Sequence, residues 1–383
     1  MSTQPFKLFQ SLPLIDGIVL RNRVVMAPMT TWSGNDDGTI SEQELDYMRH
    51  RVKGVGLVIT GCTHVQENGI GFTREFAGFD DRFTPSLAKL AQAAQSGGAP
   101  AILQIFHAGI KAIPHLTPQA EVVSASDLVI SAGPLKDEQF SSRALSHNEI
   151  LETIRAFGET TRRAIEAGFD GIELHGAHGF LIQNFFSPLL NQRDDEWGGS
   201  LENRMRFPLE IVKEVKRVIK QYAQKPFALG YRISVEEYDE DGLRIADSLV
   251  LIDRLIAAEI DYLHLSLFDA LHSKPIDSQT EQLTLECVIE HVNRRIPMIA
   301  AGKIRTPIQA EKALDLGLPL VAIGKALVMN PDWVALAQHD RADEIATELD
   351  PERVSELVIP HHLWQTIQTM KDWFPMKQVE QVG

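Results

Sequence analysis

Residues His175–Arg206 read HGAHGFLIQNFFSPLLNQRDDEWGGSLENRMR, and this stretch decides the fold. Just upstream, Asp170–Leu174 (DGIEL) is short, apolar and bounded by Gly168 and Gly176, the pattern of a buried strand. Two histidines three residues apart, His175 and His178, stand at its C-terminal end. A long aperiodic segment follows, rich in Asn, Arg, Asp and paired Gly. It closes on Ser200-Leu-Glu-Asn203, where a helical pattern begins. A strand that ends in polar side chains and a long ordered loop is how a parallel α/β protein builds an active-site face. Loops this long inside a domain are usually functional.

The same unit recurs on both sides. Arg21–Met29, Gly56–Thr60, Ala101–Phe106, Phe227–Ile233, Tyr262–Ser266, Pro297–Ala301 and Leu320–Ile323 are further short apolar runs that read as strands. Helical spacing lies between them. Ser41-Glu-Gln-Glu44 and Ser146-His-Asn-Glu149 read as capping boxes, Thr84-Pro85 as N-cap and first helical position, and Thr306-Pro307 as another helix start. Ile150, Ile154, Phe157, Ala164 and Ile165 keep one apolar face. Strand and helix alternate eight times, which predicts a parallel sheet closed into a (β/α)8 TIM barrel. Residues 110–145 read as a long polar excursion after strand three, a small hairpin over the barrel mouth, and a long loop follows strand four. A single domain over 1–383 is expected. The barrel would span about 20–330, after a short lead-in, with a helical tail over 331–383 outside it and available for oligomer contacts.

Composition narrows the function classes. A net charge of −15 argues against nucleic acid and anionic membranes as partners, because both call for a basic surface. The two cysteines, Cys62 and Cys287, allow neither a disulfide framework nor a four-thiolate iron–sulfur cluster. No apolar run of about 18 residues is present, so no membrane span is expected. The N-terminus lacks a signal-peptide core, and the cytoplasm is the expected compartment.

The fixed positions His175, His178, Gly179, Phe180, Leu181, Phe185, Ser187-Pro188, Asn191, Arg193, Asp195, Trp197, Gly198-Gly-Ser200, Glu202-Asn-Arg204 and Arg206-Phe207 resemble the signature of the old yellow enzyme family. These are FMN-dependent ene-reductases and related NAD(P)H:flavin oxidoreductases. The resemblance implies the same (β/α)8 barrel. It also implies FMN contacts at the strand ends. Ala27, Pro28, Met29 and Thr30 would run along the flavin, with the Thr30 hydroxyl near a flavin carbonyl. Gly61 and Cys62 would be small residues passing close to the ring. Gln104 would meet the pyrimidine edge and Arg232 the N1–C2 carbonyl. Gly302, Lys303, Gly324 and Lys325 would hold the phosphate, with Lys325 where most relatives have Arg. His175 and His178 would donate hydrogen bonds to the acceptor's oxygen, and Trp32 and Phe180 would lie beside it. Asn191, Arg193, Asp195, Gly198, Gly199, Glu202, Asn203 and Arg204 would hold the loop.

One departure bears on chemistry: Phe180 stands where the family usually carries a proton-donating Tyr. The expected activity is hydride transfer from NAD(P)H through flavin N5 to an α,β-unsaturated carbonyl, a quinone or a nitro compound. With no G-x-G-x-x-G or G-x-x-x-x-G-K-[ST] segment to hold the nicotinamide elsewhere, ping-pong kinetics are expected. Three readings compete. One is a flavin-binding protein with weak or no ene-reductase activity, kept open by Phe180 and Lys325. Another is a flavin-free barrel lyase with Lys303 as Schiff-base amine. The third is a metal site on His175 and His178, which lacks a third ligand at known spacing. Small-molecule substrates and no metal are the expectation.

Overall fold

The computed structural model describes residues 6–130, 139–276 and 281–377. Eight parallel strands close on themselves: β1 (Val24–Met26), β2 (Leu57–Ile59), β3 (Ala101–Phe106), β4 (Gly171–Gly176), β5 (Ala228–Ile233), β6 (Tyr262–Ser266), β7 (Met298–Ala301) and β8 (Leu320–Ile323). Each pairs with the next in sequence, and Ile323 of β8 lies opposite Met26 of β1 to complete the ring. Among the described residues, each connection carries a principal helix: α1 (Glu42–Arg51), α2 (Thr84–Gln95), α3 (His147–Glu166), α4 (Leu201–Tyr222), α5 (Ile245–Ala257), α6 (Thr284–Val292) and α7 (Pro307–Asp315). This is the (β/α)8 barrel that the alternation predicts.

The strands read as unbroken apolar runs because both faces are covered. Every residue of β3, β4 and β5 is buried. One face packs on the helices, where α3 contributes Ile150, Ile154, Phe157 and Ala164, with Ile165 only half-buried. The other face fills the barrel with Val25, Leu57, Ile59, Ile102, Ala228, Tyr262, Ile299, Leu320 and Ala322. Leu14, Ile18 and Leu20 join that inner cluster. They come from an antiparallel hairpin, Leu12–Ile15 with Ile18–Leu20, in the segment the sequence reads as a lead-in. Packed beneath the strands, the hairpin makes the base apolar and leaves polar chemistry to the opposite end.

Three local expectations need correction. Thr84 is inside α2, not its cap: its φ of −53° and ψ of −44° are helical, and a 3-10 turn over Asp81–Phe83, capped by Asp80, leads into it. Ser41 caps α1 through Glu44 N–H, but the Glu44 carboxylate does not return to Ser41. It accepts instead from Thr31 Oγ1 at 2.6 Å and Ser33 Oγ at 2.7 Å, pinning the loop after β1 that carries Thr30 and Trp32. The excursion after β3 holds three strands rather than a hairpin. Phe140–Ala144 runs parallel to Val122–Ser124 and antiparallel to Leu128–Ile130, and part of the excursion, 131–138, lies outside the described residues. The boxes at Ser146 and Thr306 form in full.

The loop after β4 begins as a short helix, Leu181–Phe186, and is then tied to its surroundings by side chains. Asn191 Nδ2 donates to the carbonyls of Phe185 and Trp197. Arg193 reaches the carbonyls of Ala125 and Leu145 and pairs with Asp195 at 2.6 Å. Arg204 donates to the carbonyls of Phe186 and Gly199. The tail does more than pack outside. Phe374 is buried, and the segment around Trp373 returns to the barrel mouth.

Candidate active site

A cavity of about 490 Å3 opens at the C-terminal ends of the strands. Ala27, Pro28, Met29, Thr30, Trp32, Cys62, Gln104, His175, His178, Phe180, Arg232, Gly302, Lys303, Gly324 and Lys325 all line it. Gly61 does not: a Cβ there would lie 2.7 Å from the Met29 carbonyl, so its smallness serves the close approach of two strand ends rather than the cavity. The sequence reading missed Phe72, Phe268, Arg305 and Trp373, which also line the space.

One end is built from imidazoles. His175 sits at the end of β4 and is 2% exposed. Its Nδ1 accepts the Ala177 N–H at 3.3 Å, so in the neutral ring Nε2 carries the proton. Burial, then the nearby charges of His178 and Arg232, hold the ring well below the usual histidine range. His178 is open to solvent from the cavity side but lies deep in the mouth, and desolvation with Arg232 and Lys111 lowers it too. Its backbone is left-handed, with φ of 60°, a conformation that costs a non-glycine residue ~1–3 kcal/mol. Both its peptide groups are pinned: its N–H donates to Ser234 Oγ at 3.1 Å, and its carbonyl accepts from Lys111 Nζ at 2.6 Å. The imidazole shares a 2.6 Å hydrogen bond with Ser266 Oγ. The two rings meet edge to face, 4.9 Å apart. Phe180 is 5% exposed and wedged between Phe106 and His175, each with centroids at 4.8 Å. Its ring stiffens the histidines and offers no proton.

Below the cavity floor, barrel register assembles a polar column. Glu173 of β4 lies opposite Gln104 of β3, and Arg232 of β5 lies opposite His264 of β6. Gln104 Nε2 donates to Glu173 Oε1 at 2.7 Å, and His264 Nδ1 bonds Glu173 Oε2 at 2.9 Å. Burial raises the Glu173 carboxyl, but His264 and Arg232 outweigh it and hold the group below its ordinary range. Glu173 thus supplies the counter-charge that lets a guanidinium stay buried in the barrel. Arg232 Nη2 donates to Ser266 Oγ at 3.0 Å, while its buried Nε has no partner among the described residues. Gln104 spends one N–H on Glu173 and keeps its carbonyl and second N–H.

The other end is cationic. Gly302, with φ of 158°, leaves room where a Cβ would strike the Ala270 nitrogen at 2.7 Å and the Leu267 carbonyl at 2.8 Å. Lys303 follows at φ of 53°, with its ammonium 3.8 Å from the centre of the Phe268 ring and 3.9 Å from Asp269. Arg305 is half-buried, and its guanidinium forms no ion pair among the described residues. Lys325 opens a short helix after Gly324 and donates to the Trp373 carbonyl at 2.5 Å. Burial, then the repulsion of Arg305 and Lys303, lowers its pKa. Trp373 stands edge to face with Trp32 at 5.7 Å, so the chain's own tail forms one wall of the cavity. Three cations with so little counter-charge make a site for an anion.

Residues 7–344 match the NADH:flavin oxidoreductase / NADH oxidase family. The chain belongs to that family. It is 41% identical over 370 residues to the probable NADH-dependent flavin oxidoreductase YqiG of Bacillus subtilis (strain 168), covering 97% of this chain and 98% of that one. It is 37% identical over 362 residues to the NADH:fumarate oxidoreductase of Klebsiella pneumoniae (strain 342). That match covers 94% of this chain but 38% of the longer protein. Among solved structures, the old yellow enzyme homologue from Zymomonas mobilis shares the fold, with a TM-score of 0.75 at 23% identity over 87% of this chain and 93% of that one. The resemblance read from residues 175–207 is borne out, and the protein is an NAD(P)H-dependent flavin oxidoreductase with FMN as cofactor. The cavity suits that group. It offers a cation cluster for a phosphate, amide and guanidinium donors for a heterocycle's polar edge, and a buried unpartnered Arg232 Nε.

Proposed function

We propose that this enzyme reduces electrophilic acceptors at the one cavity where it also receives hydride from NAD(P)H. The reading is carried by the opposition of the imidazole pair and the cation cluster across a single space. Lys303, Arg305 and Lys325, with the backbone at Gly302 and Gly324, hold the FMN phosphate. Gln104 and Arg232 hold the polar edge of its ring, alongside Ala27, Pro28, Met29, Thr30 and Cys62. Bound FMN supplies the two-electron carrier that couples nicotinamide oxidation to acceptor reduction. His175 and His178 donate hydrogen bonds to the acceptor's carbonyl, nitro or phenolate oxygen, where charge develops. Trp32, Phe72 and Trp373 wall the acceptor in and exclude water. The chain works as one unit, since its tail completes the cavity.

Because nicotinamide and acceptor use the same space, the first leaves before the second binds, which gives ping-pong kinetics. Parallel double-reciprocal plots are expected, and intersecting ones would exclude a shared site. The first measurement is an anaerobic visible spectrum before and after adding NADH or NADPH. A flavin band that bleaches is the expected result. A yellow protein that neither nucleotide reduces would favour the flavin-binding reading over the reductase.

Phe180 favours acceptors that need no proton placed on carbon, such as quinones and nitro compounds. A relative's name points to fumarate, an activated alkene, so both classes are worth assay. Phe180→Tyr should raise alkene reduction and leave flavin reduction unchanged. No gain in alkene reduction would show that the proton comes from elsewhere. The lyase reading gains nothing here, because Lys303 is exposed and lies against Phe268, not in a desolvated pocket.

A further inference from the structure

We infer that Glu75, a residue outside the cavity wall, fixes the Thr30 hydroxyl as a hydrogen-bond donor into the cavity and so tunes the bound flavin. The inference rests on the reading that FMN lies along Thr30. Glu75 follows the loop after β2 and is 3% exposed. Its Oε2 accepts the Gly71 N–H at 2.8 Å. Its Oε1 lies 3.5 Å from Cys62 Sγ, and Cys62 Sγ lies 3.5 Å from Thr30 Oγ1. Both Cys62 and Thr30 line the cavity. An unbroken line of three polar groups therefore runs from a buried carboxyl to the place where the cofactor belongs.

The direction of that line depends on one proton. An ionised Glu75 would draw the Cys62 S–H toward itself, and Cys62 would then draw the Thr30 O–H. Thr30 would face the cavity as an acceptor, against a flavin carbonyl that is also an acceptor. A neutral Glu75 reverses the line: its O–H on Oε1 donates to the sulfur, the S–H donates to Thr30, and the Thr30 O–H is released to donate into the cavity. The surroundings favour the neutral form. Among the described residues no cation pairs with Glu75, and its sequence neighbour Arg74 is turned to Asp36 at 3.0 Å. Burial raises the carboxyl well above its ordinary range, and it raises the Cys62 thiol as well, so neither group has reason to ionise. Cys62 is then a relay of orientation and not a nucleophile.

A donor at a flavin carbonyl stabilises the charge gained on reduction and raises the potential. Glu75 is thus a positioning residue, and the flavin midpoint potential of the holoenzyme reads its role. Glu75→Leu should shift the potential to more negative values. Glu75→Gln should restore it, because an amide N–H donates to the sulfur as the neutral acid does while its carbonyl keeps the Gly71 bond. In a Thr30→Val background, Glu75→Leu should shift nothing further. If Glu75→Leu does not fold, Cys62→Ala breaks the same line at its middle and should shift the potential the same way. Infrared difference spectra between wild type and Glu75→Gln, with or without FMN, should show the C=O stretch of a neutral carboxylic acid. A Glu75→Gln shift as large as that of Glu75→Leu, or a Glu75→Leu shift that survives Thr30→Val, would overturn the inference. A wild-type protein that takes up no FMN would overturn the cofactor placement itself.

Discussion

The two ends of the cavity handle charge in opposite ways. At the ends of β7 and β8, Lys303, Arg305 and Lys325 crowd positive charge into partly exposed space, with Asp269 at 3.9 Å from Lys303. At the end of β4, His175 and His178 are kept neutral by desolvation and by the cations Arg232 and Lys111. The first arrangement suits an anion that is present all the time. The second suits charge that appears only during reaction, because neutral N–H donors hold no counter-ion beforehand and are already aimed. On the proposed function, one barrel mouth would hold a permanent ligand at one end and polarise a transient one at the other.

Acid should have the largest effect, and it acts on buried imidazoles, of which His175 lies at the imidazole end of the cavity. His64, His107, His175 and His264 are all buried, and all have lowered pKa values. Burial takes His64 down to about 4 and His107 to about 3. Above the unfolded value of 6.5 both states are neutral at these rings, and they add no pH dependence. As pH falls below 6.5 the unfolded chain takes up protons that the folded chain refuses. The stability these rings contribute then falls with pH, by up to ~1.4 kcal/mol per unit for each ring, against the buried carboxyls of Glu44 and Glu75, whose raised values act in the opposite sense. Denaturant melts between pH 7 and pH 5 should show that loss, while the lysines and arginines stay charged throughout. Imidazole resonances of the folded protein that titrate between pH 7 and pH 5 would mean the rings are not neutral by burial.

How much of this was legible follows the same division. The barrel is legible because most strands are apolar runs bounded by Gly or Pro, and Gln104, His175 and Arg232 announce themselves as polar residues in or at the end of such runs. Glu173 was passed over as a lone acid inside DGIEL, since nothing local shows that it faces Gln104 across the sheet. Trp373 reaches the cavity from far along the chain and Phe72 from an irregular loop, where no periodicity marks a direction. The base hairpin is different. Asp16-Gly17 between two apolar stretches is a two-residue turn signal, and Gly17 does take φ of 86°, so this hairpin is legible in the sequence. Glu44 teaches the converse: the capping-box spacing was right, but a stronger pair of hydroxyl donors claimed the carboxylate.

At the imidazole end, His178→Ala should lower the rate constant for acceptor reduction by ~10²–10³-fold, the usual cost of one preorganised donor at developing charge. Stopped-flow mixing of prereduced enzyme with acceptor isolates that step. FMN retention should not change, because the residue lies away from the cation cluster. The release of Ser266 Oγ, which bonds both His178 and Arg232, is a path by which the change could reach the flavin side. A drop in FMN content that matched the drop in rate would merge the two ends into one site.

At the cationic end the expected effect is smaller and shows in binding. Lys325→Ala removes one charge-assisted contact, worth ~1.5–3 kcal/mol, so the FMN dissociation constant should rise by ~10–100-fold. The same change also frees the Trp373 carbonyl and loosens the tail. Riboflavin separates the two effects, since it carries the ring and no phosphate. If Lys325 serves the anion, FMN affinity falls while riboflavin affinity holds. If its main work is tethering the tail over the ring, both fall together. Among the described residues the Arg305 guanidinium has no such tether, so Arg305→Ala should weaken FMN alone. Equal losses for FMN and riboflavin in both variants would place the phosphate elsewhere and leave the cation cluster without its ligand.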